Sequence, residues 1–298
     1  MTCDSVPVDS TVNPVPALIA RLRAAGCVFA EEEAALLAAE PENTEILEDR
    51  VRRRCAGIPL EQILGWSEFY GLRVPVAPGV FVPRRRTELL ADRAIAAISQ
   101  LTRVADAAEL TKTGERSGQA GHPRPLVVEL CCGSGAVTLA ISAHSASPFE
   151  AYAVDIHPAA VRCARLNLTG KAAVFEGDLF SPLPHDLRGR VDVVVANAPY
   201  IPTAQLNTIP REARNHEPAA THDGGSDGLD VLRRIIAGAP EWLSRDGCLL
   251  LECSERQAEA VALVMASHRL VPEIARREAT DATVVMAKRQ LCTPEPPE

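Results

Sequence analysis

Apolar and polar residues follow two different rhythms along this chain. In its first part, apolar residues recur every three or four positions, which is the period of amphipathic helices. This spacing predicts helices over Pro16–Ala25, Glu31–Ala39 and Asn43–Cys55. Because such helices bury their apolar stripes against one another, we expect a small helical domain at the N-terminus.

A different pattern follows Gly57–Gly65. The run Phe69–Val76, together with Val80-Phe81-Val82, predicts a hairpin that is interrupted by prolines. A helix is expected from about Thr87 to Leu101, and the Gly/Pro/polar stretch Thr111–Pro125 predicts a mobile loop. We therefore expect residues 1–65 to form a helical domain, 66–85 a β-hairpin linker and 86–298 a second domain.

From Leu126 onward, short apolar runs alternate with helical patterns, which is typical of a mostly parallel sheet covered by helices on both faces. Ligands of such open sheets bind outside the carboxyl ends of the strands, where the strand order reverses. The predicted strands are Val127–Leu130, Ala151–Asp155, Ala172–Phe175, Val191–Ala196, Cys248–Cys253 and Thr283–Lys288, and the predicted helices are Ala136–Ala143, Pro158–Leu168, Leu229–Leu243 and Glu255–Ala266.

Composition and charge narrow the class of protein. A length of 298 residues suits about two domains. The net charge of −8 argues against a broad phosphate-binding face, despite the local run Arg84-Arg85-Arg86. Nine cysteines without a C-x-x-C pair suggest neither a zinc site nor a disulfide framework. Met1–Asn13 lacks the pattern of a signal peptide, and no apolar stretch is long enough to span a bilayer, so we expect a cytoplasmic protein.

Two features predict an adenosine ligand. The loop Glu129-Leu130-Cys131-Cys132-Gly133-Ser134-Gly135 follows a strand but lacks the third glycine of a full dinucleotide fingerprint. Asp155 follows about twenty residues later, where an acid accepts hydrogen bonds from ribose hydroxyls. An ordinary tight turn and a helix N-terminal acid are the alternative interpretations. These residues do not distinguish a nicotinamide cofactor from S-adenosylmethionine.

The corner Asn197-Ala198-Pro199-Tyr200 follows the fourth strand of the alternation. A nitrogen whose lone pair is delocalised attacks poorly, so it must be held by acceptors in line with a methyl donor. Asn197 can supply a side-chain carbonyl, Ala198 a backbone carbonyl and Tyr200 an aromatic face. Pro199 favours extended geometry at Ala198. The corner predicts methylation of a planar nitrogen, with a plain strand-ending turn as the alternative.

In these stretches the chain resembles the HemK/PrmC protein-glutamine methyltransferases, which methylate a glutamine side-chain amide in peptide chain release factors. The resemblance covers nearly the whole chain. It implies a class I methyltransferase, with a Rossmann-like doubly wound α/β sheet, a small N-terminal helical domain and a β-hairpin linker. The matching stretches are Arg54–Gly65, Phe81–Glu88, Glu129–Gly135, Ala153–Ile156, Gly177–Phe180, Asn197–Ile201, Glu217–Ala220, Gly224–Asp230 and Leu251-Glu252.

The resemblance also implies a role for individual residues, and it implies no metal. The residues expected to bind S-adenosylmethionine are Glu129, Cys131, Cys132, Gly133, Ser134, Gly135, Asp155, Ile156, Asp178, Leu179 and Asn197. Those expected to form the catalytic corner are Asn197, Ala198, Pro199 and Tyr200, and those expected to contact the substrate are Arg84, Thr87, Asn197 and Tyr200. The expected partner is a protein substrate, with a release factor as the inherited candidate.

The chain departs from the family pattern at several of these positions. Ala198 replaces the first proline of Asn-Pro-Pro-Tyr, Cys131-Cys132 adds bulk to the glycine loop, and Arg85-Arg86 replaces Pro-Glu. These departures indicate a divergent paralogue. Other functions stay open: a methyltransferase acting on an exocyclic amine of a nucleic acid, which the net charge disfavours, or on another protein or small-molecule amide; a nicotinamide-dependent oxidoreductase; and a binding module without activity.

Overall fold

The computed structural model describes residues 15–39, 43–113 and 124–289, with only the backbone course given over 105–113. The chain divides into two compact units, Met1–Leu64 and Gly65–Glu298. In the described ranges, no helix combines the length and the apolar character that crossing a bilayer would require.

The first unit consists of helices. The bounds are α1 Val15–Ala24, α2 Ala30–Ala38, α3 Thr44–Cys55 and α4 Leu60–Leu64. The three predicted helices are confirmed, whereas the short α4 was not predicted. Leu22, Leu37 and Val51 are fully buried where the helices meet. Arg54 and Glu33 form an ion pair at 2.6 Å inside this small core.

The second unit opens on a hairpin, with β1 at Trp66–Phe69 and β2 at Leu72–Pro75. The predicted hairpin was wrong in its turn and in its second strand. Tyr70 and Gly71 both have positive φ, 54° and 73°, as a tight two-residue turn between twisted strands requires. Val80–Val82 forms no strand, because the prolines before it cannot donate ladder hydrogen bonds.

Helix α5 spans Glu88–Thr113 and follows a single 3₁₀ turn at Arg85–Thr87. The prediction ended this helix at Leu101, which was wrong. The sequence beyond Leu101 is rich in alanine and other helix-forming residues and has no glycine or proline before Gly114, so the helix continues. The first residues of the predicted loop, Thr111–Thr113, are therefore helical, and its remainder over 114–123 lies outside the described residues.

A seven-stranded sheet forms the centre of the second unit, in the order β5-β4-β3-β6-β7-β9-β8. Strands β3 to β7 pair in parallel, and β9 runs antiparallel to both of its neighbours. The mostly parallel sheet is thus confirmed, with the strand order reversing between β3 and β6. The bounds are β3 Leu126–Leu130, β4 Glu150–Asp155, β5 Ala173–Glu176, β6 Val191–Ala196, β7 Leu243–Glu252, β8 Leu270–Arg277 and β9 Ala282–Arg289.

Helices cover both faces of this sheet, as a doubly wound fold requires. One face packs against α5 and α6 and the other against α9 and α10. The helix bounds are α6 Ala136–His144, α7 Pro158–Asn167, α8 Arg211–His216, α9 Asp230–Trp242 and α10 Ala258–Ser267. Strand β8 was not predicted, because this edge strand carries Pro272 and several charges, which conceal its period.

Candidate active site

The predicted site residues follow the carboxyl ends of neighbouring strands. Leu130 at the end of β3 pairs with Val154 of β4 and with Ala196 of β6, and Ala196 pairs with Leu251 of β7. The glycine loop, Asp155, the Asn197 corner and Glu252 therefore begin at one edge of the sheet. This edge includes the point at which the strand order reverses, where open sheets bind their ligands.

The glycine loop has two glycines with different structural roles. Gly135 has φ of 77°, and an added Cβ would lie 2.8 Å from Cδ1 of Leu168, so only glycine fits between the loop and the end of α7. Gly133 has φ of 55°, but an added Cβ would meet nothing within 4 Å. The loop is thus tightly packed at Gly135 and open at Gly133, where a ligand has room to approach the backbone.

Asp155 joins the glycine loop to the start of α7. Its Oδ2 accepts the backbone N–H of Gly133 and its Oδ1 accepts that of His157, both at 2.8 Å. Burial raises the pKa of Asp155, and these backbone donors oppose that rise. The backbone N–H of Ile156 also favours the charged form of Asp155. Because a carboxylate has about four acceptor positions, acceptor capacity remains for a ligand. Ile156 beside Asp155 is 63% exposed.

The side chains of the other loop residues, Cys131, Cys132 and Ser134, are not suited to bind a ligand directly. Cys132 and Ser134 are buried, and Cys132 packs against Ala164 and Leu168, so these two can offer a ligand only backbone atoms. Cys131 has φ of 54°, and burial together with the charge of Asp155 raises the pKa of its thiol well above the ordinary value. Its thiol therefore stays neutral and unreactive.

Glu129 accepts hydrogen bonds from the first turn of α6. Its Oε2 accepts the backbone N–H of Thr138 at 2.9 Å and also the Thr138 hydroxyl. Burial raises the pKa of Glu129 to about 7, while Thr138 favours the charged form. This carboxyl group supports the helix that the glycine loop leads into.

Asp178 and Leu179 follow β5. Leu179 has φ of 50°, a left-handed conformation that non-glycine residues rarely adopt. Asp178 forms an exposed ion pair with Arg234 of α9 at 2.5 Å. Gly177 donates its N–H to the carbonyl of Asp155 at 3.0 Å, which ties this turn to the end of β4.

The Asn197 corner is held by hydrogen bonds from three separate segments. Nδ2 of Asn197 donates to Oγ1 of Thr87 at 3.1 Å, and within the part of the chain that the structure describes Oδ1 accepts no hydrogen bond. The hydroxyl of Tyr200 donates to Oε1 of Glu252 at 3.2 Å, and the carbonyl of Tyr200 accepts from Nε2 of Gln257 at 2.8 Å. Ala198 is buried, and half-buried Pro199 separates it from Tyr200. The corner thus presents an acceptor on a fixed frame.

Two residues that the sequence analysis left unassigned belong to this frame. Glu252 is 1% exposed; burial raises its pKa to about 7, and Thr87, Tyr200 and Arg86 lower it. Arg86 also favours the charged form of Tyr200, against the dominant effect of burial. The signal in the sequence was an acid at the end of an apolar strand, the same signal that identified Asp155.

Arg84 and Thr87 were predicted together as substrate contacts, but the structure places them in different interactions. Thr87 contacts Asn197, whereas Arg84 binds Oε1 of the buried Glu217 at 2.6 Å. The same oxygen accepts the backbone N–H of Val82 at 3.2 Å, and Nε2 of His222 lies 3.0 Å from Oε2. Arg84 therefore anchors the segment that leads to Thr87.

The topology, the glycine loop and the acid at the end of β4 together define a class I methyltransferase fold. Residues 127–216 match a family model described as "Methyltransferase domain". In the described ranges, no group of three or more His, Cys, Asp or Glu side chains could hold a metal ion.

Three curated relatives are similar over most of the chain. The release factor glutamine methyltransferase of Geobacter sulfurreducens is 36% identical over 74% of this chain and 69% of its own length. That of Streptomyces coelicolor is 34% identical over 74% and 71%. The 4-amino-L-phenylalanine/4-methylamino-L-phenylalanine methyltransferase of Streptomyces pristinaespiralis is 34% identical over 82% and 78%. The chain belongs to the release factor glutamine methyltransferase family.

Proposed function

We propose that this protein transfers a methyl group from S-adenosylmethionine to the side-chain amide nitrogen of a glutamine in a protein substrate. The observation that carries the proposal is the Asn197 corner. Its Nδ2 is bound by Thr87, so its carbonyl oxygen is left to accept an N–H from a substrate amide. The release factors named for the relatives in Geobacter and Streptomyces coelicolor make a release factor the first candidate substrate.

The residues at the sheet edge fit an S-adenosylmethionine cofactor. Asp155 has acceptor positions left for ribose hydroxyls, and the open side of Gly133 lets a ligand approach the loop. Exposed Ile156 offers an apolar surface, and the turn at Asp178-Leu179 borders the same strand ends. When bound, the cofactor supplies an electrophilic methyl group. Cys132 and Gly135 pack the loop against the end of α7, and Glu129 supports the helix that follows. Cys131 and Ser134 contribute their backbone to the same loop.

The protein's own part in the reaction is to hold the nitrogen. Asn197 and Ala198 accept its two N–H bonds with a side-chain and a backbone carbonyl, and Tyr200 lies against the amide plane. These acceptors bind more strongly as the nitrogen gains positive charge in the transition state, so they accelerate the reaction. The proton leaves after methyl transfer, when the nitrogen has become acidic, so no general base is assigned.

Incubation with labelled S-adenosylmethionine and purified release factor tests the proposal. One added methyl group on a glutamine, located by mass spectrometry of the digested factor, is the expected result. A deletion strain should lack that methyl group. No transfer to the release factor, or transfer to another residue type, would contradict the proposal.

A second candidate substrate is the aromatic amine of a small amino acid. The Streptomyces pristinaespiralis relative is named for such a substrate and matches a larger share of this chain than the other two. An aniline nitrogen is also planar and delocalised, so the same two acceptors suit it. Running the labelled assay with 4-amino-L-phenylalanine beside the release factor separates the two, because only the true substrate should saturate the enzyme.

We also propose that residues 1–65 recognise the protein substrate and that 66–85 connect them to the methyltransferase domain at 86–298. Hydrogen exchange of the intact protein, with and without release factor, tests this. Protection of backbone amides in α1 to α3 is expected. Protection confined to residues beyond 85 would contradict it.

Asp155→Asn is expected to weaken S-adenosylmethionine binding by about 10- to 100-fold, because a charged acceptor for ribose hydroxyls is lost. Isothermal titration measures the change. Asp186→Asn is the matched control, since Asp186 is exposed and, among the described residues, forms its ion pair with Arg190 at 3.8 Å. An Asp155→Asn protein that binds the cofactor as tightly as the control would contradict the assignment.

A further inference from the structure

The contact between Thr87 and Asn197 depends on where the chain places Thr87. Thr87 ends the 3₁₀ turn Arg85–Thr87, and its backbone N–H donates to the carbonyl of Arg84 at 2.9 Å. Its hydroxyl oxygen accepts from Nδ2 of Asn197 at 3.1 Å. A side-chain hydrogen bond keeps its geometry only where both partners are held by their own surroundings. The groups that fix this turn therefore decide whether Asn197 keeps its partner.

Glu217 fixes the chain directly before this turn. Its side chain is fully buried, and its Oε1 accepts the backbone N–H of Val82 at 3.2 Å and binds Arg84 at 2.6 Å. A hydrogen bond between a carboxylate and a guanidinium is roughly twice as strong as one between neutral groups. Val82 is buried too, so losing Glu217 would leave its N–H buried without this acceptor. One carboxylate oxygen thus binds both the backbone and a side chain of residues 82–84.

Glu217 is also the first residue of a loop, the 217–228 loop, that packs against the other end of the corner. The N–H of Ile201 donates to the carbonyl of His222 at 3.0 Å, so the loop binds the residue next to Tyr200. An added Cβ on Gly228 would lie 2.3 Å from the carbonyl oxygen of Tyr200, so the loop backbone lies directly against the corner. The residue that holds the segment before Thr87 therefore belongs to a loop that is itself fixed to the corner.

Further contacts join the 217–228 loop to the segment before Thr87. Nε2 of His222 lies 3.0 Å from Oε2 of Glu217, within ion-pair distance but not aligned as a hydrogen bond. The rings of Phe81 and His222 meet edge to face, with centroids 5.7 Å apart. The guanidinium of Arg84 lies 5.0 Å from the centroid of Phe81, where a cation is attracted to the ring. Glu217 is the group that the polar contacts between the two segments share.

We infer that Glu217 is a positioning residue for methyl transfer, which keeps Thr87 against Asn197. The contacts form a closed circuit. The corner binds Thr87, the segment before Thr87 binds Glu217, and the 217–228 loop returns to the corner at Ile201. When the link at Glu217 is lost, Thr87 can withdraw, and the amide of Asn197 is free to turn and present Nδ2 in place of Oδ1. The inference rests on the proposed function, because it assumes that Oδ1 accepts a substrate N–H.

Kinetics of Glu217→Gln test this role. The substitution keeps the shape of the side chain and replaces the carboxylate by a neutral amide, which binds Arg84 less strongly. We expect kcat to fall by about 5- to 20-fold, because Thr87 is then less well placed. The Kd for S-adenosylmethionine and the KM for the substrate should each stay within about threefold, because the cofactor loop is not touched and Oδ1 acts mostly on the transition state. An unchanged kcat, or a loss confined to KM or to cofactor binding, would overturn the inference.

Asp192→Asn is the matched control for a loss of stability. Asp192 lies near the start of β6, at the opposite end of the strand from the corner. Its Oδ2 accepts the N–H of Leu126 at 2.9 Å and its Oδ1 the hydroxyl of Ser244 at 2.7 Å, so it too joins separate segments. Urea unfolding should show a loss of stability in both variants, whereas kcat should stay within about twofold of the wild type in Asp192→Asn. A similar fall of kcat in both variants would mean that Glu217 serves stability alone.

A double variant tests whether Glu217 acts through Thr87. Thr87→Val keeps the shape of the side chain, removes the acceptor of Nδ2 and should lower kcat by about 10- to 100-fold. With that acceptor gone, the position of the segment matters little, so adding Glu217→Gln should lower kcat by less than about twofold further. A further loss as large as that of Glu217→Gln alone would show that Glu217 acts on another group, and the inference would fall.

A measurement without substrate separates failure of this inference from failure of the proposed function. The side-chain NH₂ resonances of Asn197, assigned by their loss in Asn197→Ala, report on the hydrogen bond to Thr87. Their exchange with water should be at least about tenfold faster in Glu217→Gln than in the wild type, and unchanged in Asp192→Asn. If glutamine is not methylated but this difference is seen, the positioning role stands and the substrate assignment fails. If glutamine is methylated and the exchange rates are equal, the inference is wrong.

Arg84→Met provides the same test from the other side of the ion pair, even where Glu217→Gln fails to fold. Arg84 is partly exposed, and methionine keeps an apolar stem beside Phe81. Exchange of the Asn197 NH₂ should be at least about threefold faster than in the wild type. The reason is that one donor to Glu217 is lost while the N–H of Val82 remains bound. Exchange at the wild-type rate in this variant would also overturn the inference.

Discussion

Replacing Asn197 with alanine is expected to lower kcat by about 10²- to 10³-fold, the loss typical of removing one preorganised group that stabilises transition-state charge. The reason is geometric: Thr87 holds Nδ2, and Oδ1 is the acceptor left for the substrate nitrogen. Steady-state kinetics with saturating S-adenosylmethionine measure the loss. The KM for the substrate should change less than kcat, because the acceptor acts most strongly on the charged transition state.

Cofactor binding provides the control for this variant. Isothermal titration should give a Kd for S-adenosylmethionine within about threefold of the wild type, because Asp155 and the glycine loop remain in place. Asn207→Ala removes an exposed amide side chain from a nearby part of the sequence and should leave kcat unchanged. Turnover by Asn197→Ala near the wild-type rate would show that another group binds the substrate nitrogen.

The sequence reveals the members of the site better than the contacts between them. Asp155 ends one apolar strand and Asn197 follows another, and parallel strands bring their carboxyl ends to one edge of the sheet. Their meeting was therefore predictable from the alternation of strands and helices. The residues to which the family resemblance assigns roles lie at this same edge of the sheet.

The contacts that orient these residues could not be predicted from local patterns. Thr87 and Asn197 are 110 positions apart, and Arg84 and Glu217 are 133 apart. A buried acid such as Glu252 looks in sequence like any acid that ends a strand, and only the packing shows that it faces Tyr200. Arg84 and Thr87 are close in sequence, yet one binds Glu217 and the other binds Asn197.

The errors in secondary structure have local physical causes. Tyr70 occupies a left-handed turn position that a bulky side chain rarely takes. The prediction therefore placed the turn of the hairpin between Val76 and Val80 instead of at Tyr70-Gly71. The N–H of Tyr70 is bound by the carboxylate of Glu88, a contact from the start of α5. The prediction ended helix α5 at Leu101 because glycine and prolines follow Thr113 in the sequence. Residues 102–113 are themselves good helix formers, so the helix continues through them.

The two buried carboxyl groups at the sheet edge should make the fold less stable as the pH rises. Burial raises the pKa of Glu129 and of Glu252 to about 7, from 4.5. Between these values the folded state binds more protons than the unfolded state, so the free energy of unfolding falls as the pH increases. The loss from about pH 5 to about pH 8 should be on the order of 3 kcal/mol for each group.

Urea unfolding at a series of pH values measures this loss. Both tryptophans, Trp66 and Trp242, lie in the second unit, so their fluorescence follows the unit that contains both acids. Glu129→Gln and Glu252→Gln should each remove about half of the decline, whereas Glu241→Gln, which changes an exposed acid paired with Arg188, should not. For Glu252→Gln, stability at about pH 8 should equal or exceed that of the wild type while kcat falls. Two outcomes would contradict this prediction: a free energy of unfolding that rises with pH over this window, or a Glu252→Gln protein that unfolds more easily than the wild type at about pH 8. Either outcome would mean that the ionised carboxylates are stabilised by their surroundings and contribute to the stability of the fold.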